Sequence, residues 1–485
     1  MAFNSLTYLI LLGVVIVLYY RLPQRFRWVL LLVASYIFYM AWKPALIVLI
    51  VFSTASNFLL AKKIDQSHSR QQRKRLLLTS LFINFGLLFV FKYLVFFNNT
   101  FRWLAGGHWP IPAFDLILPM GISFYTFQAA AYTIDVYRGR IRAERHYGIF
   151  SLFITFFPQL VAGPIERSEN LLPQFYERHT FSADNLLSGG KILLWGFFKK
   201  VVIADRAAVL VNTVYNHIGD FGGPAIALAT LLFAFQIYCD FSGYSDIAQG
   251  SARCLGFRLM DNFQKPYLST SIREFWRRWH ISLSGWFADY VYIPLGGNRG
   301  GKARQCRNQL ITFLVSGLWH GANWTFVLWG ALHGLYQVVG TLTRPLRTRM
   351  KQARGWGQSR LLACGGWLLT FGLVTLAWVF FRANTIADAF TAYQGLAHGW
   401  HLLLHRQSAY EILLSLGLNL WEMLLLGVCL LILVINEALS RRQTVFGFWE
   451  ERPWLPRVLF YAAIAILILL GGVFYDATAF IYFQF

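Results

Sequence analysis

Residues 310–340 read LITFLVSGLWHGANWTFVLWGALHGLYQVVG, an apolar run with His320 near its centre, in Trp319-His320-Gly321-Ala322-Asn323-Trp324. A titratable imidazole at hydrocarbon depth is expensive and marks a functional site by default. The plainer alternative is a histidine bonded to a neighbouring helix as structural glue. Charge on either side of the run decides its path. Lys302, Arg304 and Arg307 precede it, and Arg344, Arg347, Arg349, Lys351 and Arg354 follow it. The positive-inside rule places both ends in the cytoplasm. A straight helix of this length would be roughly 46 Å long and would leave its ends on opposite sides. Two limbs with a break at Gly321-Ala322-Asn323 satisfy the charges, because irregular backbone at membrane depth is tolerated where it lines a cavity. The run therefore predicts a re-entrant hairpin, with His320 at its apex facing a water-accessible pocket. His333, about 220° further round a regular helix, is either structural or on another wall of that cavity.

The rest of the chain agrees with a bilayer. Of its 485 residues 56% are hydrophobic, 18% aromatic and only 14% charged, where a soluble chain carries roughly 25% charged residues. The net charge of +22 would suit a nucleic-acid partner. However, the basic residues cluster at the ends of apolar runs, as in polytopic membrane proteins, and no nucleic-acid-binding pattern separates them. Apolar runs recur near 5–20, 28–43, 44–61, 76–97, 116–137, 147–163, 187–212, 224–241, 310–340, 361–381, 410–435 and 456–475. They predict an all-α polytopic protein with about 11–12 transmembrane or re-entrant helices. The first basic residue, Arg21, follows the first run, which is the reverse of a cleavable signal peptide.

Basic clusters also follow the third run (Lys62, Lys63, Arg70, Arg73, Lys74, Arg75), the fifth (Arg138, Arg140, Arg142, Arg145) and the run at 410–435 (Arg441, Arg442). These loops are expected in the cytoplasm. Asn98–Asp115, with one Arg and two Trp, and Ala383–Tyr410 are expected outside, as are both termini. Cys239, Cys254, Cys306, Cys364 and Cys429 show neither C-x-x-C pairing nor ligand spacing, so neither a disulfide framework nor a structural metal is expected.

Between Asp240 and Asn308 no span is convincing. This stretch carries Asn262, then Arg273-Glu274-Phe275-Trp276-Arg277-Arg278-Trp279-His280, then Gly296-Gly297-Asn298-Arg299-Gly300-Gly301. One reading is an amphipathic segment at the cytoplasmic interface that snorkels its arginines. The other is a funnel wall for an anionic, aromatic ligand. Arginines there pair phosphates and stack on rings, and the glycine turn lets backbone amides approach phosphate.

Several motifs together resemble the membrane-bound O-acyltransferase (MBOAT) superfamily, in its bacterial alginate O-acetylation branch. They are Leu118–Phe127 (LPMGISFYTF), Phe157–Ile165 (FPQLVAGPI), Asp240–Asp246, Arg273–Ser284, Gly296–Arg299, Leu318–Asn323 and the C-terminal Phe480–Phe485. The resemblance implies one MBOAT domain over 1–485 with helices around a central tunnel. Within it, 240–308 is the cytoplasmic-interface segment and 310–340 the His-bearing hairpin. It implies that His320 is the active-site histidine, and that His280 or Asn262 fills a second position, for which His333 is a further candidate. The implied activity is membrane O-acetyl transfer. The donor is cytoplasmic acetyl-CoA, with no permanently bound cofactor. The acetyl group passes through the bacterial inner membrane to periplasmic acetyltransferase partners and a polysaccharide acceptor such as alginate.

The chemistry needs a base near neutral pH. His320 is expected to deprotonate the acceptor hydroxyl or to carry the acyl group briefly. Asn323 or a backbone N–H at the break would stabilise the oxyanion, and Arg277, Arg278, Gly297, Asn298 and Arg299 would hold the CoA phosphates. Peptidoglycan or cellulose as acceptor, and a transporter or scaffold without catalysis, are the alternatives that the residues leave open.

Overall fold

A computed structural model of the chain describes residues 3–112, 114–161, 163–353, 360–441 and 443–474. Arg354, Arg442, Ala162 and the Phe480–Phe485 motif lie outside the described residues. Every regular element among the described residues is helical.

Among the described residues, six helical stretches are long and apolar enough to cross a bilayer: Pro44–Gln66, Arg70–Leu104, Gly223–Cys254, Arg360–Arg382, Leu420–Leu439 and Trp454–Gly471. With the shorter apolar helix Leu6–Arg21, they make this an all-α, multi-pass membrane protein. The remaining expected runs fold as shorter or interrupted helices. Tyr147–Thr155 covers only part of the run at 147–163. The run at 187–212 is broken by a π-helical turn, Phe198–Ala204, between Ala183–Phe197 and Asp205–Asn216.

The chain forms two compact units, each assembled from two separate stretches of sequence: Met1–Leu193 with Tyr244–Asp261, and Leu194–Gly243 with Asn262–Phe485. In the first unit a buried amide pair fastens the helices Ile47–Gln66, Arg70–Leu88 and Ile122–Arg138. Asn57 Nδ2 donates to Asn84 Oδ1 at 3.0 Å and Asn84 Nδ2 returns a bond to Asn57 Oδ1 at 2.7 Å. Ser80 and Thr133 add bonds to Asn57 Oδ1 at 2.8 and 3.1 Å. Lipid competes with apolar packing on equal terms, so interhelical hydrogen bonds of this kind supply specificity.

In the second unit Lys200 plays the corresponding part. Its Nζ lies 2.7 Å from Asp205 Oδ1 and 2.8 Å from Asp240 Oδ1, all three side chains being buried. Lys199 donates to Ser242 Oγ at 2.9 Å. This network corrects the reading of Asp240–Asn308 as non-spanning, since Asp240–Cys254 simply continues the helix that begins at Gly223. The polar residues that interrupt the hydropathy there are buried against polar partners instead of ending the helix. The hairpin likewise begins earlier than its apolar run, at Lys302.

Candidate active site

The site is built within the second unit. His320 is the last residue of the helix Lys302–His320, and the next helix, Trp324–Ala353, starts after Gly321-Ala322-Asn323. The two limbs approach through glycines. A Cβ on Gly330 would lie 2.4 Å from the Phe313 carbonyl oxygen, and one on Gly317 2.3 Å from that of Phe326. At the apex a Cβ on Gly321 would lie 2.1 Å from the Phe326 ring.

Asn323 holds the bend on both sides. Its Oδ1 accepts from Thr325 N at 3.1 Å and its Nδ2 donates to the Asn384 carbonyl at 3.1 Å.

His320 is 1% exposed and is enclosed by rings: Trp319 at 5.0 Å, Trp329 at 4.9 Å and Phe381 at 5.5 Å between centroids, all edge-on. This corrects the expectation of a water-facing apex. The imidazole is closed off from the surface by these rings.

His280 comes to the same place. Its ring centroid is 6.4 Å from that of His320, and the side chain is fully buried. Its backbone is left-handed, φ 43°, a conformation that costs about 1–3 kcal/mol for a non-glycine residue and persists only where the surroundings impose it. Asn262 imposes it. The Asn262 carbonyl accepts from Ile281 N at 2.9 Å, while its side-chain Oδ1 accepts from Ser282 N at 3.3 Å and Ser282 Oγ at 2.9 Å. A backbone N–H can only donate, so that Asn262 atom is the oxygen. His280 Nδ1, 3.0 Å from the same oxygen, must therefore carry its proton. With the Nδ1 proton fixed in this way, the lone pair of the neutral ring is on Nε2.

His333 is different. Its Nδ1 accepts the Trp276 indole N–H at 3.2 Å; the ring is therefore neutral, with its proton on Nε2 and its lone pair used. It is buried among Trp276, Trp329 and Tyr336, with Trp329 between it and the histidine pair in the sequence of contacts. His280, Asn262 and His320 thus come together, and His333 sits behind them.

The expected phosphate-binding residues differ in exposure. Arg277, Asn298 and Arg299 are exposed and Gly297 is buried. Arg278 is paired with Glu274 at 2.6 Å. The glycine turn is held from below, since Asn308 Nδ2 donates to the Leu295 and Gly297 carbonyls at 3.2 and 2.9 Å.

The buried Lys200–Asp205–Asp240 network escaped sequence reasoning. Its signal was available, because Lys199, Lys200, Asp205 and Arg206 stand within the apolar run at 187–212. Charges inside a span are a reason to look for partners.

Helices long and apolar enough to cross a membrane, with two buried histidines beside a helix break, one of them oriented by Asn262, make up the candidate site. The family model for membrane-bound O-acyltransferases matches residues 146–381, which include Asn262, His280, His320 and His333. The chain is 40% identical to the probable alginate O-acetylase AlgI of Pseudomonas aeruginosa, over 82% of this chain and 75% of that protein. It is 33% identical to the peptidoglycan O-acetyltransferase of Helicobacter pylori, over 98% and 94%. To the teichoic acid D-alanyltransferase of Streptococcus thermophilus it is 29% identical, over 57% and 68%. The chain belongs to the membrane-bound O-acyltransferase family, and it is a membrane O-acyltransferase.

Proposed function

We propose that this enzyme takes an acetyl group from cytoplasmic acetyl-CoA and passes it through the bacterial inner membrane for O-acetylation of an exopolysaccharide such as alginate, with periplasmic acetyltransferase partners completing the transfer. The observation that carries the catalytic part is the proximity of His320 to a second imidazole whose tautomer Asn262 sets. His320 acts as the base. It removes the acceptor hydroxyl proton as the oxygen adds to the thioester carbonyl carbon, and it returns that proton to the thiolate when the C–S bond breaks. His280 takes the part of a neutral acceptor that steadies the charged His320. Asn323, with both amide atoms engaged, holds the apex. Arg277 and Arg299, with the Gly297–Asn298 turn, receive the CoA phosphates, and Arg278 contributes through its pair with Glu274.

The alginate reading is supported by the 40% identity to the P. aeruginosa protein named for that polymer. A peptidoglycan acceptor is the second reading, favoured by the nearly end-to-end alignment with the H. pylori protein. Basic loops on one side and basic-poor loops on the other support periplasmic termini.

The deciding measurement is acetyl release from radiolabelled acetyl-CoA by the protein in liposomes. Wild type should release label and His320→Ala should lose at least 10²-fold, the lower range for general acid–base catalysis. Equal movement of label in both would point to a transporter and reduce His320 to a structural residue.

A further inference from the structure

Trp329 stands about one and a half turns into the Trp324–Ala353 helix and is 0% exposed. Its ring meets His320 edge-on, 4.9 Å between centroids and 88° between planes. On the other side it stacks on Trp378 at 5.6 Å. Three other indoles of this unit use their N–H groups. Trp276 donates to His333 Nδ1, Trp378 to Tyr267 Oη at 3.1 Å, and Trp367 to the Tyr267 carbonyl at 2.7 Å. The Trp329 Nε1–H is also buried, yet it meets no hydrogen-bond acceptor among the described residues. A buried donor left this way forfeits about 1–3 kcal/mol, and natural proteins keep such groups chiefly where function needs them.

We infer that the Trp329 indole N–H is the oxyanion donor of the acyl-transfer step, a role that rests on the reading of His320 as its base. When the acceptor oxygen bonds to the thioester carbon, its proton passes to His320 and the C=O π pair moves onto the carbonyl oxygen. That oxygen becomes an anion one ring's width from His320, where Trp329 supplies a fixed donor in a water-excluded setting. When the C=O re-forms, the C–S pair leaves with the thiolate, which takes the proton from His320. Asn323, the other side chain proposed for the role, has both amide atoms committed to the bend. His333 Nε2–H is also buried and without an acceptor among the described residues, but it lies about 6 Å further along the helix from the break and is assigned no step.

The test compares Trp329→Phe with Trp378→Phe in the full chain in liposomes, using radiolabelled acetyl-CoA. Each removes one indole from the same aromatic cluster, but the Trp378 N–H donates to Tyr267 Oη, whereas the Trp329 N–H meets no acceptor among the described residues. Trp329→Phe should lower kcat roughly 10²–10³-fold with KM nearly unchanged, and Trp378→Phe should lower it far less. Trp329→His, which restores a ring N–H, should recover part of the loss. If Trp329→Phe unfolds, replacement of Trp329 by benzothienylalanine removes the N–H and keeps the shape, and the same loss of kcat is expected. Equal losses in the two Phe variants, or a change in KM alone, would overturn the assignment. A wild-type protein that releases no label from acetyl-CoA would instead defeat the underlying reading, and that is seen before any variant is made.

Discussion

At the scale of single residues, the site depends on who sets whose proton. Asn262 Oδ1 accepts from three donors, His280 Nδ1 and the N–H and Oγ of Ser282, and so holds His280 in one tautomer. Asn262→Ala leaves the imidazole free to rotate and to exchange tautomers. Acetyl release should fall about 10–100-fold, the loss typical of removing an imidazole's orienting partner. If His280 and His320 act as one unit, the double alanine variant should be no slower than His320→Ala alone; additive losses would separate them.

A second prediction concerns stability. Glu166 is buried, accepts from Met260 N at 2.6 Å and from Asn170 Nδ2 at 2.7 Å, and burial raises its pKa to about 7. Below the unfolded value of 4.5 the group is neutral in both states. Above it the unfolded chain ionises first, so stability falls as pH rises and the loss is complete above about 7. The difference is about 3 kcal/mol. Melting temperatures in detergent should drop from pH 5 to pH 8 in wild type and much less in Glu166→Gln. His320 was legible in sequence because a histidine contradicts an apolar run. Trp329 was not, because whether an indole N–H finds an acceptor is decided by neighbours distant in the chain.

At the scale of elements, the hairpin stands on its glycines. Small residues let helix backbones approach closely in a membrane, and Gly317 and Gly330 face each other at backbone contact. Gly330→Ala would put a methyl group into the Phe313 carbonyl. A destabilisation of about 1–3 kcal/mol is expected, with loss of acetyl release as His320 shifts against Trp329. Gly340→Ala, on the same helix, where an added Cβ meets only the Arg347 side chain at 3.9 Å, an ordinary contact, should leave both unchanged or raise stability slightly through helix propensity. A Gly330→Ala protein as stable as wild type would show that the limbs are not packed this way.

The break at Gly321–Asn323 could be read from residues because charge at both ends demanded a return and one Gly-Ala-Asn interrupted the run. The full length of the Gly223–Cys254 helix could not. Asp240, Ser242 and Ser245 lower its hydropathy, and only the buried partners Lys199 and Lys200 show why a helix tolerates them.

For the whole molecule, the question is how deep the reaction lies. Arg307 is the last basic residue before the apex, and His320 lies thirteen positions further on. At 1.5 Å per residue that is roughly 20 Å along the helix, past the midplane of a hydrocarbon core about 30 Å thick. A thioester entering from the cytoplasm would then deliver its acyl group beyond the centre of the bilayer, which is what transfer to an extracytoplasmic acceptor requires. Such a depth requires both ends of the hairpin to lie on one side of the membrane, which can be measured. In a cysteine-free background, single cysteines at the exposed positions Ala303 and Thr348 flank the two limbs. A membrane-impermeant maleimide applied to spheroplasts should label neither, and both should react after permeabilisation. His68→Cys, beside the basic residues that end Pro44–Gln66, should behave like them. Gly107→Cys, beyond the far end of Arg70–Leu104, should react from outside without permeabilisation. Labelling of Thr348→Cys from outside, with Ala303→Cys protected, would mean a single crossing. It would move His320 out of a re-entrant apex and remove the geometric basis for passing an acyl group between the two faces.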